Sequence, residues 1–150
     1  MDVYRYHPII VHFPIVLLLG ATVLLALLMA RRPVEKLTSW VMALGCFSAW
    51  LAVYTGGLAE DQAEHVWHVP TAAIEAHERG GQITLVLFII SYLALTLGWR
   101  FRQRLLYTLA MLVALVGSGF LIYTGDKGGD IVYKHALPAT ASDTGDRPHH

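Results

Sequence analysis

The stretch 9–30, IIVHFPIVLLLGATVLLALLMA, runs for 22 residues without an Asp, Glu, Lys or Arg. At about 1.5 Å per residue it reaches roughly 33 Å as a helix, enough to cross the hydrocarbon layer of a bilayer. Three more charge-free stretches follow, 38–58, 82–99 and 105–123, of 21, 18 and 19 residues. Together the four make up 80 of the 150 residues, so the solvent of this protein is mostly lipid.

A hydrophobic content of 55% is too high for an ordinary soluble domain of this length. A soluble bundle would need polar outer stripes, and these segments are apolar all round. The expected fold is therefore an all-α polytopic membrane protein. Its four transmembrane helices should cover about 9–30, 38–58, 72–99 and 105–123, in one domain over 1–137. The polar tail 138–150 is expected to be disordered.

Charge is balanced in number, eleven basic against eleven acidic residues, but not in place. Arg31, Arg32 and Lys36 fall in one short connection, and Arg100, Arg102 and Arg104 in another. The positive-inside rule assigns both to the cytoplasm. Both termini and the long 59–81 connection are then extracytoplasmic. The N-terminal segment lacks a basic n-region and cleavage pattern, so the first helix is expected to be retained. Arginines flanking membrane spans already have a topological reason, so nothing here calls for nucleic acid.

The chain contains an internal repeat. Tyr54-Thr55-Gly56 and Tyr123-Thr124-Gly125 close the second and fourth apolar stretches. His12 precedes Tyr54 by 42 residues and His77 precedes Tyr123 by 46; His65 follows Tyr54 by 11 and His135 follows Tyr123 by 12. This reads as two helical hairpins of the same topology, related by a pseudo-two-fold along the membrane normal. Such symmetry would set His12 and His77 face to face across the bundle. The plainer reading of Tyr-Thr-Gly is an interfacial Tyr followed by a helix-ending Gly.

The histidines gather at one end of the spans. An ionisable side chain at the membrane boundary is costly unless partnered, which makes His12 a functional candidate. His7, five residues earlier, lies about 140° away on a continuous helix and should not share an ion with it. His77 sits on a helical extension that opens after Pro70 with acids in its first turns. His65 and His68, at i and i+3 beside Glu60, Asp61 and Glu64, could clamp Zn²⁺ or Cu²⁺, or simply belong to a solvated loop. Haem iron takes axial ligands on both faces, and facing helices of a bundle supply imidazoles for it. Gly20, Gly45, Gly117 and Gly119, with Gly80-Gly81, would let helices pack closely or admit a macrocycle edge. Propionates would pair with Arg5, Arg79, Lys127 or Lys134. Cys46 is the single cysteine and no Cys-x-x-Cys-His occurs, so any haem would be b-type.

His-Pro-x-x-Val-His-Phe-Pro at 7–14, Tyr-Thr-Gly at 54–56, His-Glu at 77–78 and Tyr-Thr-Gly-x-x-Gly-Gly-x-x-Val-Tyr-x-His at 123–135 resemble the DUF2231 family of small four-helix bacterial membrane proteins. The resemblance covers about residues 6–137. It implies a b-type haem protein with the motif histidines His7, His12, His77 and His135 as iron ligands, enough for one or two bis-histidine haems. Gly20 and Arg79 join the expected haem-binding set. Many relatives have His at position 126, where this chain has Asp126, and Gly at 136, where it has Ala136.

The expected function is single-electron transfer through haem b at the extracytoplasmic side, without enzymatic turnover of its own. Its partners would be a periplasmic cytochrome, a quinol or a larger respiratory complex, and it could form a homo-oligomer. The rivals are a copper- or zinc-binding membrane protein using the same histidines, and a cofactor-free assembly or anchoring subunit. No Ser/His/Asp set or phosphate-binding glycine loop points to hydrolysis or group transfer.

Overall fold

The computed structural model describes residues 6–30 and 33–136. Arg5, Arg31, Arg32 and the 138–150 tail, which entered the expectations above, lie outside the described residues. The chain forms α1 (His7–Ile10), α2 (His12–Met29), α3 (Glu35–His65), α4 (Thr71–Phe101) and α5 (Arg104–Ile131), closed by a π-helical turn over Val132–Ala136. Among the described residues there is no strand.

Pro14 explains why the first span is built in two pieces. It has no N–H to offer the Ile10 carbonyl, and its ring crowds that oxygen, so α1 parts from α2 at Val11. Four helical segments are long and apolar enough to cross a membrane: His7–Met29, Glu35–Glu60, Thr71–Phe101 and Arg104–His135. Their outward faces carry Val16, Val23, Phe47, Ile89, Leu112 and Ile122, all exposed. Apolar side chains turned out from every helix suit a lipid surround and not water. The chain is an all-α polytopic membrane protein.

The inward faces form one core. Leu18 and Leu25 of α2, Met42 of α3 and Phe88 and Leu95 of α4 close against Ala110 and Ala114 of α5. Hydroxyls within this core are satisfied locally, as a membrane interior requires. Ser91 donates to the Ala110 carbonyl at 2.8 Å, and Thr84 donates to the Gly80 carbonyl at 2.8 Å. Thr22 donates to the Leu18 carbonyl at 2.9 Å, and Ser118 donates to the Thr22 hydroxyl at 3.2 Å. The first of these contacts and the last join helices as well as satisfying them.

Two expectations about helix ends are corrected. Neither Tyr-Thr-Gly terminates its helix: α3 continues to His65 and α5 to Ile131. No glycine among the described residues has a positive φ, so none forms the left-handed cap expected of them. The 59–81 connection is likewise mostly helix, and only residues 66–70 link α3 to α4. Thr71 donates to Glu64 at 2.8 Å and the Val69 N–H donates to the Ala63 carbonyl at 3.0 Å, which pins that short link.

Candidate functional site

His7 opens α1 and His77 lies in the second turn of α4, both at the same end of the bundle. Their partly buried rings stand 6.3 Å apart between centroids, with planes at 89°. Sequence spacing had paired His12 with His77; the structure pairs His7 with it instead.

Hydrogen bonds fix how each ring is held. His77 Nδ1 lies 2.9 Å from the Thr124 carbonyl, which can only accept, so Nδ1 carries the proton. His7 Nδ1 lies 3.1 Å from the Thr55 hydroxyl. That hydroxyl already donates to the Leu51 carbonyl at 2.9 Å, so it accepts from His7 Nδ1–H. In the neutral ring both imidazoles then hold their lone pair on Nε2. Neither Nε2 has a hydrogen-bond partner among the described residues. An N–H anchored to backbone or hydroxyl with the other nitrogen left open is how metal-ligating histidines are oriented.

Each ring lies close against a glycine of the following helix. A Cβ at Gly56 would stand 3.2 Å from His7 Cε1, and one at Gly128 would stand 2.8 Å from His77 Cε1. Both glycines lie on the helix that follows the histidine in its own hairpin. The separations agree too: His7 is 48 residues from Thr55, and His77 is 47 from Thr124. The repeat is therefore real in space, but its histidine is His7 and not His12. Thr55, Thr124, Gly56 and Gly128 are the residues that sequence reasoning missed. Their signal was the repeated Tyr-Thr-Gly, read as a helix end when its threonine holds a ring.

The remaining expected residues lie apart. His12 is exposed on the outer face, its Nδ1–H donating to the Pro8 carbonyl at 2.6 Å, beside Phe13, Val16 and Leu17. It does not face His77, because the turn that carries His7 inward carries His12 outward. His135 is half-buried in the terminal π-helical turn and has no hydrogen bond or ring contact with either imidazole among the described residues. His65 ends α3, whereas His68 has a left-handed backbone with φ 52°, so the two share no helical face. No group of three His, Cys, Asp or Glu is placed to hold an ion among the described residues.

Gly20 has nothing within 4 Å of its Cβ position, nor has Gly119. Gly45 and Gly117, the other two glycines read as seats for a macrocycle, are taken up by Leu18 and Phe88. Gly80 lies against the Thr124 side chain. Arg79 is exposed and 4.0 Å from Glu75, Lys127 lies over the Tyr123 ring, and Lys134 pairs with Asp130 at 2.8 Å.

Two imidazoles on opposite sides of one metal, at about 2.0 Å per nitrogen, place their centres roughly 6 Å apart. The His7–His77 centroid separation of 6.3 Å matches that spacing, with the two ring planes at 89°. Gly45 and Gly117 do not add to it, because Leu18 and Phe88 occupy the space that a macrocycle edge would need.

Four lipid-facing helices carrying a pair of imidazoles at one end define a small multi-pass membrane protein embedded in a bilayer. The chain belongs to the DUF2231 family, whose model, described as a predicted membrane protein, matches residues 5–141. Neither a curated protein nor a solved structure matches it.

Proposed function

We propose that this protein is a membrane electron carrier whose His7 and His77 hold one b-type haem iron between them. The observation that supports it is the pair itself. Two half-buried imidazoles from different hairpins meet at 6.3 Å, each with Nδ1 occupied and Nε2 open. When bound, the haem would supply one-electron redox chemistry. The chain's own part is to orient both rings through Thr55 and Thr124 and to seat them over Gly56 and Gly128. His12 is exposed, and neither it nor His135 has a hydrogen bond or ring contact with the pair among the described residues, so the proposal is one haem per chain and not two.

Orientation belongs to the same proposal. Arg100, Arg102, Arg104 and Lys36 gather at the end opposite the histidine pair, which the positive-inside rule would place in the cytoplasm. The His7–His77 end then faces outward from a bacterial inner membrane, with both termini on that side. A donor or acceptor would reach it as a periplasmic cytochrome, a quinol or a larger respiratory complex.

A second reading is favoured by the filling of Gly45 and Gly117: the same two nitrogens would hold a bare copper ion, which needs no room for a macrocycle. A reduced-minus-oxidised spectrum with haem, copper and zinc quantified per chain separates the two. The haem reading expects a Soret band and one haem per chain. A colourless, folded preparation with stoichiometric copper would replace it, and a metal-free one would leave the chain an assembly or anchoring subunit.

A further inference from the structure

The end of the bundle away from the histidines carries a pocket of about 680 Å³ lined by Glu35, Trp99, Arg100, Arg102 and Tyr107. It lies where α3 begins, α4 ends and α5 begins, and it is open outward, with Arg100 and Arg102 exposed at its edge. We infer that this pocket binds the headgroup of a zwitterionic phospholipid, its phosphate at Arg100 and Arg102 and its ammonium at Glu35.

Three features lead there. Neither guanidinium forms an ion pair with an acid among the described residues, although Glu35 lines the same pocket; Arg100 instead lies 5.7 Å from the Phe101 ring centre. Guanidinium forks left open at a membrane boundary match phosphate oxygens. Glu35 stands at the start of α3 and is half-buried, so it would oppose a purely anionic headgroup entering beside it. A ligand with both charges satisfies both kinds of wall. Trp99 and Tyr107 supply the amphipathic rings that favour the headgroup level of a bilayer. A primary ammonium, with N–H donors for the carboxylate, suits Glu35 better than a methylated one, which points to phosphoethanolamine.

The test is lipid retention by the full chain in detergent, read by native mass spectrometry with equal amounts of phosphatidylethanolamine, phosphatidylglycerol and phosphatidylcholine. Phosphatidylethanolamine should be retained at least about fivefold over the other two, and soluble O-phosphoethanolamine should displace it. Glu35→Gln should erase the preference over phosphatidylglycerol. Arg100→Gln with Arg102→Asn should abolish retention; Asn tolerates the left-handed backbone of Arg102, φ 54°, so the fold is kept. The proposal is overturned by equal retention of the three lipids, by stronger retention of phosphatidylcholine, or by displacement with inorganic phosphate as effective as with phosphoethanolamine. Unchanged retention in the arginine variant, with its helicity and elution volume intact, would overturn it too.

Discussion

The His7 and His77 rings meet edge to face, 6.3 Å between centroids, although each belongs to a different helical hairpin. Each is held from below by the threonine of a Tyr-Thr-Gly and lies over a glycine of the helix that follows it. The two-fold repeat thus delivers one residue type twice to one place, which neither hairpin could do alone.

The two threonines differ in a way that predicts opposite outcomes. Thr55 holds His7 with its hydroxyl, so Thr55→Val leaves a partly buried N–H unpaired and should cost about 1–3 kcal/mol. Thr124 holds His77 with its carbonyl, and its own buried hydroxyl has no partner in the described structure. Thr124→Val keeps the carbonyl and removes an unsatisfied group, so it should be neutral or stabilising. Thermal unfolding of both variants in one detergent checks the difference in sign.

Glycine substitutions should also divide by what lies above them. Gly128→Ala puts a methyl 2.8 Å from His77 Cε1, so the ring must move, at a cost of about 1–3 kcal/mol. Gly129→Ala meets nothing within 4 Å and should gain up to about 1 kcal/mol from helix propensity. Unfolding midpoints of the two neighbours, measured side by side, should move in opposite directions.

Core and lipid faces should respond differently to the same truncation. Phe88 is fully buried and packs on Gly117, so Phe88→Ala should destabilise by about 3–5 kcal/mol. Phe47 is exposed on α3 toward lipid, so Phe47→Ala should cost under about 1 kcal/mol. Equal losses in bilayer-reconstituted protein would mean that the Phe47 face is covered by another chain.

The proposed orientation can be checked because Cys46 is the single cysteine. In a Cys46→Ala background, Glu64→Cys should react with an impermeant maleimide added outside intact cells. Gln103→Cys should react only after permeabilisation. The reverse pattern would turn the protein over in the membrane.

The four spans were legible because a run of 18 or more uncharged apolar residues has one physical reading. Helix ends were not, because Gly56 and Gly125 resemble caps while their backbones stay helical beneath the histidine end. The expectation that Thr71 begins a helical extension carrying His77 agrees with α4. His7 was expected as a ligand on its motif, but the spacing of the repeat paired His12 and not His7 with His77. The match of 48 to 47 residues favours His7 once helix pairing is known. Periodicity gives the angle between two residues on one rod, but not which of them the neighbouring rod approaches.

The central claim is that one prosthetic group is shared by His7 and His77, and cofactor content per chain in four single variants tests it most directly. His7→Ala and His77→Ala should each remove essentially all bound haem or metal while leaving a folded protein, and His12→Ala and His135→Ala should retain the wild-type amount. Full retention in His7→Ala, or complete loss in His12→Ala, would contradict it.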